Sequence, residues 1–185
     1  MGKLAVKVLI TGDVGAGKTE FIRTISEIDI VTTDRRVTDE FKELKNETTV
    51  AMDFGRLTVD DGLVLHLFGT PGQVRFDFMW EILSMGMLGY VILFDSSRPD
   101  TCWSTRRIID FFEALGNVPY VVVANKQDVE GCLSPEQVAY ILALDGADGA
   151  PVLPCEATEK ASVKNVLLNL FQIIMKNAAG VEPVE

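Results

Sequence analysis

The sequence is short of the residue types on which several kinds of protein depend. It has one histidine, His66, and three cysteines, Cys102, Cys132 and Cys155, which stand far apart without a CxxC pair or a histidine at ligand spacing. That pattern fits neither a zinc site nor a disulfide framework, and the cysteines read as thiols of a reducing, cytoplasmic compartment. Positive charge is also scarce: 17 Lys and Arg stand against 27 Asp and Glu, a formal net charge of −10. Neutralising nucleic-acid phosphates or an anionic membrane takes clustered basic residues, so neither is an expected partner. No apolar run approaches the ~20 residues that cross a bilayer. Repeats and low-complexity stretches are absent. Gly2 lacks the Ser or Thr that a myristoylation signal needs at position six, where Val6 stands, and Val181 to Glu185 carries no cysteine for a prenyl group. No direct lipid anchor is therefore expected, and any recruitment to a membrane would run through a partner. A chain of 185 residues suits one domain, expected over residues 1–178 with a short tail at 179–185.

What the sequence does contain is Gly12-Asp13-Val14-Gly15-Ala16-Gly17-Lys18-Thr19, a match to GxxxxGK[ST] directly after the apolar run Leu4 to Ile10. Glycines let the backbone curl so that successive N–H groups point at phosphate oxygens, and the helix starting near Lys18 adds the positive end of its dipole. Lys18 can reach the β- and γ-phosphates, and the Thr19 hydroxyl can take one position on Mg²⁺.

Downstream, apolar runs of strand length alternate with helix-period segments, the signature of an α/β protein with a mostly parallel sheet. Strands are expected at Ala5–Ile10, Val50–Val59, Leu63–Phe68, Tyr90–Phe94, Tyr120–Ala124 and Val152–Leu153. Helices are expected at Lys18–Ser26, Phe78–Met85, Trp103–Leu115, Pro135–Leu142 and Ser162–Lys176. Asp60-Asp61-Gly62 supplies a tight turn between the second and third strands, which makes that pair a hairpin and gives six strands with one antiparallel. Ligands of open α/β sheets bind outside the carboxyl ends of the strands.

The remaining motifs fall at such places. Polar residues fill Ile28 to Thr49, and Thr49 leads into a strand, where it can contact Mg²⁺ and the γ-phosphate or serve only as a strand cap. Phe68-Gly69-Thr70-Pro71-Gly72-Gln73 offers the Gly72 N–H to a γ-phosphate and Gln73 to an attacking water. In Asn125-Lys126-Gln127-Asp128, the Asp128 carboxylate can accept two hydrogen bonds from guanine, an edge adenine lacks. Asn125 would brace this loop on the phosphate loop, and the stem of Lys126 would cover the purine. Cys155-Glu156-Ala157-Thr158 can present the Ala157 N–H to guanine O6.

Taken in this order, the motifs resemble the Ras-like small GTPase superfamily over nearly the whole chain. Within it, the stretches Thr48–Gly55, Phe68–Phe76 and Pro119–Asp128 look most like the bacterial and archaeal small GTPases related to the MglA polarity switch, found beside roadblock-type proteins. The resemblance implies a Ras-like P-loop NTPase with helices on both faces of the sheet, GTP/GDP as ligand and substrate, and Mg²⁺ on Thr19 and Thr49. It assigns Lys18, Gly72 and Gln73 to catalysis, and Asn125, Lys126, Asp128, Glu156, Ala157 and Thr158 to the base. Two departures stand out. The superfamily has an Asp three residues before the switch glycine where this chain has Gly69, and Val14 replaces a small glycine, which implies slow unaided hydrolysis. Arg35, Arg36, Arg56 and Arg75 lie in or near the switches as possible sources of a catalytic cation. A surplus of apolar residues from Phe76 to Leu88 is assigned to a partner surface at Arg75, Phe78, Met79 and Trp80, with an MglB-like roadblock dimer as the implied partner. His66, Trp103, Phe111 and Phe112 read as structural. A GTP sensor that scarcely hydrolyses and an ATP-using phosphate-loop kinase are the competing readings.

Overall fold

The computed structural model describes residues 4–32, 52–59, 62–72, 78–144 and 149–179. Strand β1 (Leu4–Gly12) leads through the glycine loop into α1 (Lys18–Ile25). There follow β2 (Val31–Thr32), the hairpin β3 (Asp53–Thr58) and β4 (Leu63–Gly69), and α2 (Phe78–Ser84). The second half runs β5 (Met87–Asp95), α3 (Cys102–Ala114), β6 (Tyr120–Asn125), α4 (Pro135–Ile141), β7 (Val152–Pro154) and α5 (Lys160–Ala179).

Strand order is β2-β3-β4-β1-β5-β6-β7. β1 pairs in parallel with both β4 and β5, and β5, β6 and β7 continue in parallel, whereas β3 is antiparallel to β4. The six expected strands are present, and a seventh of two residues, Val31–Thr32, pairs with Asp53 and Phe54 at the edge. Strand alternation builds a core on each face. Val8 and Ile10 of β1 pack with Phe21 and Ile22 of α1 and with Val163 and Leu170 of α5. Between them, Leu9 points the other way, into a second core with Trp80, Ile92, Phe112 and Val138. α4 opens on a capping box between Ser134 and Gln137. Among the described residues, no helix is long and apolar enough to cross a membrane.

Two expectations about aromatic residues are corrected. Trp80, assigned to a partner surface, is 2% exposed, because the core-facing side of α2 carries Trp80 and Leu83. Its ring lies against Phe111 and Phe112. Met79 is half-buried against the same core, and among the described residues of this stretch the exposed large apolar ones are Ile82, Met85 and Leu88. Trp103, read as core, is 83% exposed. The buried stripe of α3 is Thr105, Ile108, Ile109 and Phe112, and a helical period of 3.6 carries Trp103 off that stripe. His66 packs edge-on against Phe54, with ring centroids 5.4 Å apart.

Candidate nucleotide site

At the carboxyl ends of β1, β5 and β6 two cavities adjoin, sharing Gly17 and Glu20. The first, about 220 Å³, is lined by Gly17, Asn125, Lys126, Asp128, Ala157 and Thr158 together with Glu20 and Val129. Asn125, 1% exposed, is the tie between its walls. The side-chain Nδ2 donates to the Ala16 carbonyl at 2.8 Å, and Oδ1 accepts the Ala157 N–H at 3.0 Å. Gly17 has φ +100°, and a Cβ there would stand 2.4 Å from Asn125 Nδ2, so only glycine admits this contact. The expectation of a free Ala157 N–H for guanine O6 is thereby corrected: Asn125 holds it. Glu156 stands outside the cavity lining, its N–H donated to Ser162 Oγ and its carboxylate accepting the Thr158 hydroxyl.

Lys126 adopts a left-handed backbone, φ +66°, and its ammonium donates to Asp95 Oδ2 at 2.5 Å. Asp95 is 3% exposed and also accepts the hydroxyl and N–H of Ser97. Burial pushes its carboxyl up, but these hydrogen bonds and the lysine charge outweigh that and hold it below the usual range. Pinned at its tip, the Lys126 side chain leaves its methylene stem to line the cavity.

The second cavity, about 260 Å³, is lined by Gly15, Gly17, Lys18, Thr19, Glu20 and Arg23. Lys18 Nζ donates to the carbonyls of Gly12 and Asp13 at 2.8 and 2.7 Å. Loss of water around the ammonium brings its pKa down to about 8, against the raising effect of Asp13 and Asp53. One Asp13 oxygen accepts the Val14 N–H at 2.7 Å and the other the hydroxyl of Ser104 on α3. The Val14 side chain is half-exposed.

Gly72 lies directly against this loop. A Cβ on it would come within 2.7 Å of Lys18 Nζ and 2.8 Å of the Val14 nitrogen, so glycine is required for the close approach. The segment is anchored behind by Thr70, whose N–H donates to Ile10 and whose hydroxyl donates to Thr11. Trp80 Nε1 also donates to the Pro71 carbonyl at 3.3 Å. Gln73, Arg75, Thr49, Arg35 and Arg36 lie outside the described residues, as does the side chain of Phe78. Arg56 is held by Glu27, Nε to Oε1 2.9 Å. Arg98, not singled out by any motif, brings Nη1 to 4.0 Å from where a Gly15 Cβ would be.

Asp95 and Arg98 were not singled out by sequence reasoning, and neither was a residue on the phosphate side. Asp53, the first residue of β3, sits opposite Gly69, the last of β4. Thr19 Oγ1 donates to Asp53 Oδ2 at 2.5 Å. A Cβ on Gly69 would stand 3.1 Å from Asp53 Cβ and 3.5 Å from Oδ2, so the Asp53 side chain fills the space that a residue at 69 would enter. The carboxylate absent from position 69 is thus supplied by the neighbouring strand. A hydroxyl and a carboxylate oxygen beside a phosphate-loop lysine are hard donors of the kind Mg²⁺ takes in ones or twos, with phosphate oxygens completing the set. The residues present fit that ion.

A family model described as a conserved hypothetical ATP binding protein matches residues 28–174. The chain belongs to that family. It is 34% identical over 129 residues to an uncharacterized protein, MJ1339, of Methanocaldococcus jannaschii, covering 70% of this chain and 75% of the relative. Over 185 residues it is 25% identical to ADP-ribosylation factor-like protein 3 of Saccharomyces cerevisiae, covering 96% and 89% of the two chains. Ras-related protein Rab-1C of Dictyostelium discoideum is 27% identical over 181 residues, covering 94% and 83%. With the phosphate loop and the sheet topology, the likeness to these relatives supports a nucleotide-binding protein of the Ras-like GTPase type.

Proposed function

We propose that the chain is a guanine-nucleotide switch that binds GTP with Mg²⁺ and hydrolyses it slowly to GDP and phosphate. The observation that carries this reading is the pair of adjoining cavities: Asp128, Asn125 and Lys126 line one, and Lys18 and Thr19 line the other. In this reading Asp128 accepts from the guanine edge, and the Lys126 stem covers the purine. On the phosphate side, Lys18 exchanges the Gly12 and Asp13 carbonyls for β- and γ-phosphate oxygens, a stronger partner for an ammonium short of water. Gly72 presents its N–H to the γ-phosphate, and Gln73 orients the water, so that acceleration comes from positioning and charge stabilisation. Thr19, Asp53 and Thr49 would hold Mg²⁺, which when bound neutralises charge on the phosphate oxygens. A switch of this kind alternates between a triphosphate and a diphosphate state, and the segments 28–49 and 70–76 that would respond lie largely outside the described residues.

A second reading, ATP as the nucleotide, is favoured by the description of the family. Asp128 opposes it, since adenine offers no donor pair to a carboxylate there. The narrower likeness to MglA-type GTPases rests on Thr48–Gly55, Phe68–Phe76 and Pro119–Asp128, and with it goes a roadblock-type partner that stimulates hydrolysis, seated near the exposed Ile82 and Met85. Single-turnover hydrolysis of GTP and ATP across a Mg²⁺ range tests the proposal. The expected result is slow GTP turnover that saturates with Mg²⁺ and falls ~10-fold or more in Gln73→Ala, the size of effect lost with a water-positioning group. ATP turnover exceeding GTP turnover would overturn it.

A further inference from the structure

Away from the nucleotide cavities, α5 and the far ends of β3 and β4 enclose a groove of about 260 Å³. Its walls are apolar, with Ile25, Leu57, Leu65, Leu167 and Phe171. Lys160 and Lys164, one helical turn apart, line it as well, and both are exposed. Among the described residues neither has an ion-pair partner. Of the described acidic side chains nearby, Glu27 is held by Arg56 and Thr58 and Glu159 accepts the Ala161 N–H, while Asp60 and Asp61, next in sequence to Val59 of the lining, lie outside the described residues. In a chain of net charge −10, two ammonium groups with no ion-pair partner among the described residues stand beside an apolar floor.

The apolar surface continues along the helix. Leu168 is 51% and Met175 68% exposed, and positions 160, 164, 168, 171 and 175 recur every three or four residues, which sets them on one face of α5. That face runs about 22 Å at 1.5 Å per residue, longer than a small ligand needs and suited to about four turns of another helix. Strand addition is closed off at this place. The outer edge of β3 is already satisfied, with the Arg56 N–H on Ser26 Oγ, the Arg56 carbonyl on the Glu27 N–H, and the Thr58 N–H on the Glu27 carboxylate.

We propose that this face of α5 with its groove docks an acidic amphipathic helix of a partner protein, apolar residues at i, i+3, i+4 and i+7 entering the groove and carboxylates meeting Lys160 and Lys164. The lysines set the orientation and sign of the partner, and the apolar floor holds it. The proposal stands apart from the nucleotide reading, because none of these residues lines either nucleotide cavity.

The test is fluorescence anisotropy of a labelled synthetic 18-residue helix with Leu at those positions and Glu flanking them, titrated with the full chain. Saturable binding is expected, weakening with salt and at least about tenfold weaker for Lys160→Glu/Lys164→Glu and for Leu168→Glu. The same peptide with every Glu replaced by Lys is expected not to bind. Thermal melts and nucleotide affinity of the exposed-site variants should match the parent, which separates lost docking from lost folding. Equal binding of the acidic and basic peptides, affinity unchanged in the lysine variants, or binding to anionic phospholipid vesicles without binding to the acidic peptide would each overturn the proposal.

Discussion

The two sides of the nucleotide site are built in different ways. On the base side, the motif residues make the ties themselves: Asn125 reaches both Ala16 and Ala157, and Lys126 is pinned by Asp95 at the end of β5. Side-chain hydrogen bonds hold that wall together. On the phosphate side the loop lysine is held by its own loop's carbonyls, and the carboxylate that the motif lacks at Gly69 arrives from Asp53 across a strand pair. A parallel core with one antiparallel neighbour lets two adjacent strands present a carboxylate to the same point.

That contrast can be broken first on the base side. Asp128→Asn should weaken guanine-nucleotide binding by about 100-fold or more, since charged hydrogen bonds to a desolvated base are worth roughly 1.5–3 kcal/mol each, and should admit xanthine nucleotides. Equilibrium titration with fluorescent GDP and xanthosine diphosphate measures both changes. Unchanged GDP affinity would remove the base assignment. On the other side, Asp53→Asn should raise the Mg²⁺ concentration for half-maximal GTP retention by about 10–100-fold, the range seen when a metal's supporting oxygens are lost. The double variant Asp53→Gly/Gly69→Asp, which moves the carboxylate to the facing strand, should recover most of that loss. Failure of the swap would mean that strand identity matters as well as position. A smaller effect is expected at Asp95→Asn, where release of the Lys126 ammonium should speed nucleotide dissociation by a few-fold without altering base preference. Because the Asp95 carboxyl lies below its unfolded value, its contribution to stability is present above about pH 4 and lost as pH falls through the folded value. Acid denaturation of Asp95→Asn should accordingly show a shallower dependence on pH in that window.

Much of this was legible in the residues. Helix limits read from periodicity fall within two or three residues of α1 to α5, since each helix carries its own stripe or cap. The hairpin was legible from Asp60-Asp61-Gly62, and it held a further signal that went unused: its register sets Asp53 opposite Gly69. Trp80 and Trp103 were misassigned for one shared reason. Size and apolar character do not say which side of a helix faces the sheet, and a shift of one residue turns a side chain by about 100°. The hold of Asn125 on the Ala157 N–H was beyond sequence reasoning, because it depends on how two loops 32 residues apart meet.

The contrast between the two tryptophans has an optical consequence. Trp80 is shielded, and its indole N–H is bonded to the Pro71 carbonyl, next in sequence to Gly72, while Trp103 faces water. A buried indole emits at shorter wavelength and is shielded from aqueous iodide, so the emission of the two separates by quenching. In Trp103→Phe the single remaining tryptophan, excited selectively at the red edge of indole absorption, would be a built-in gauge of the Pro71–Gly72 segment without a label attached.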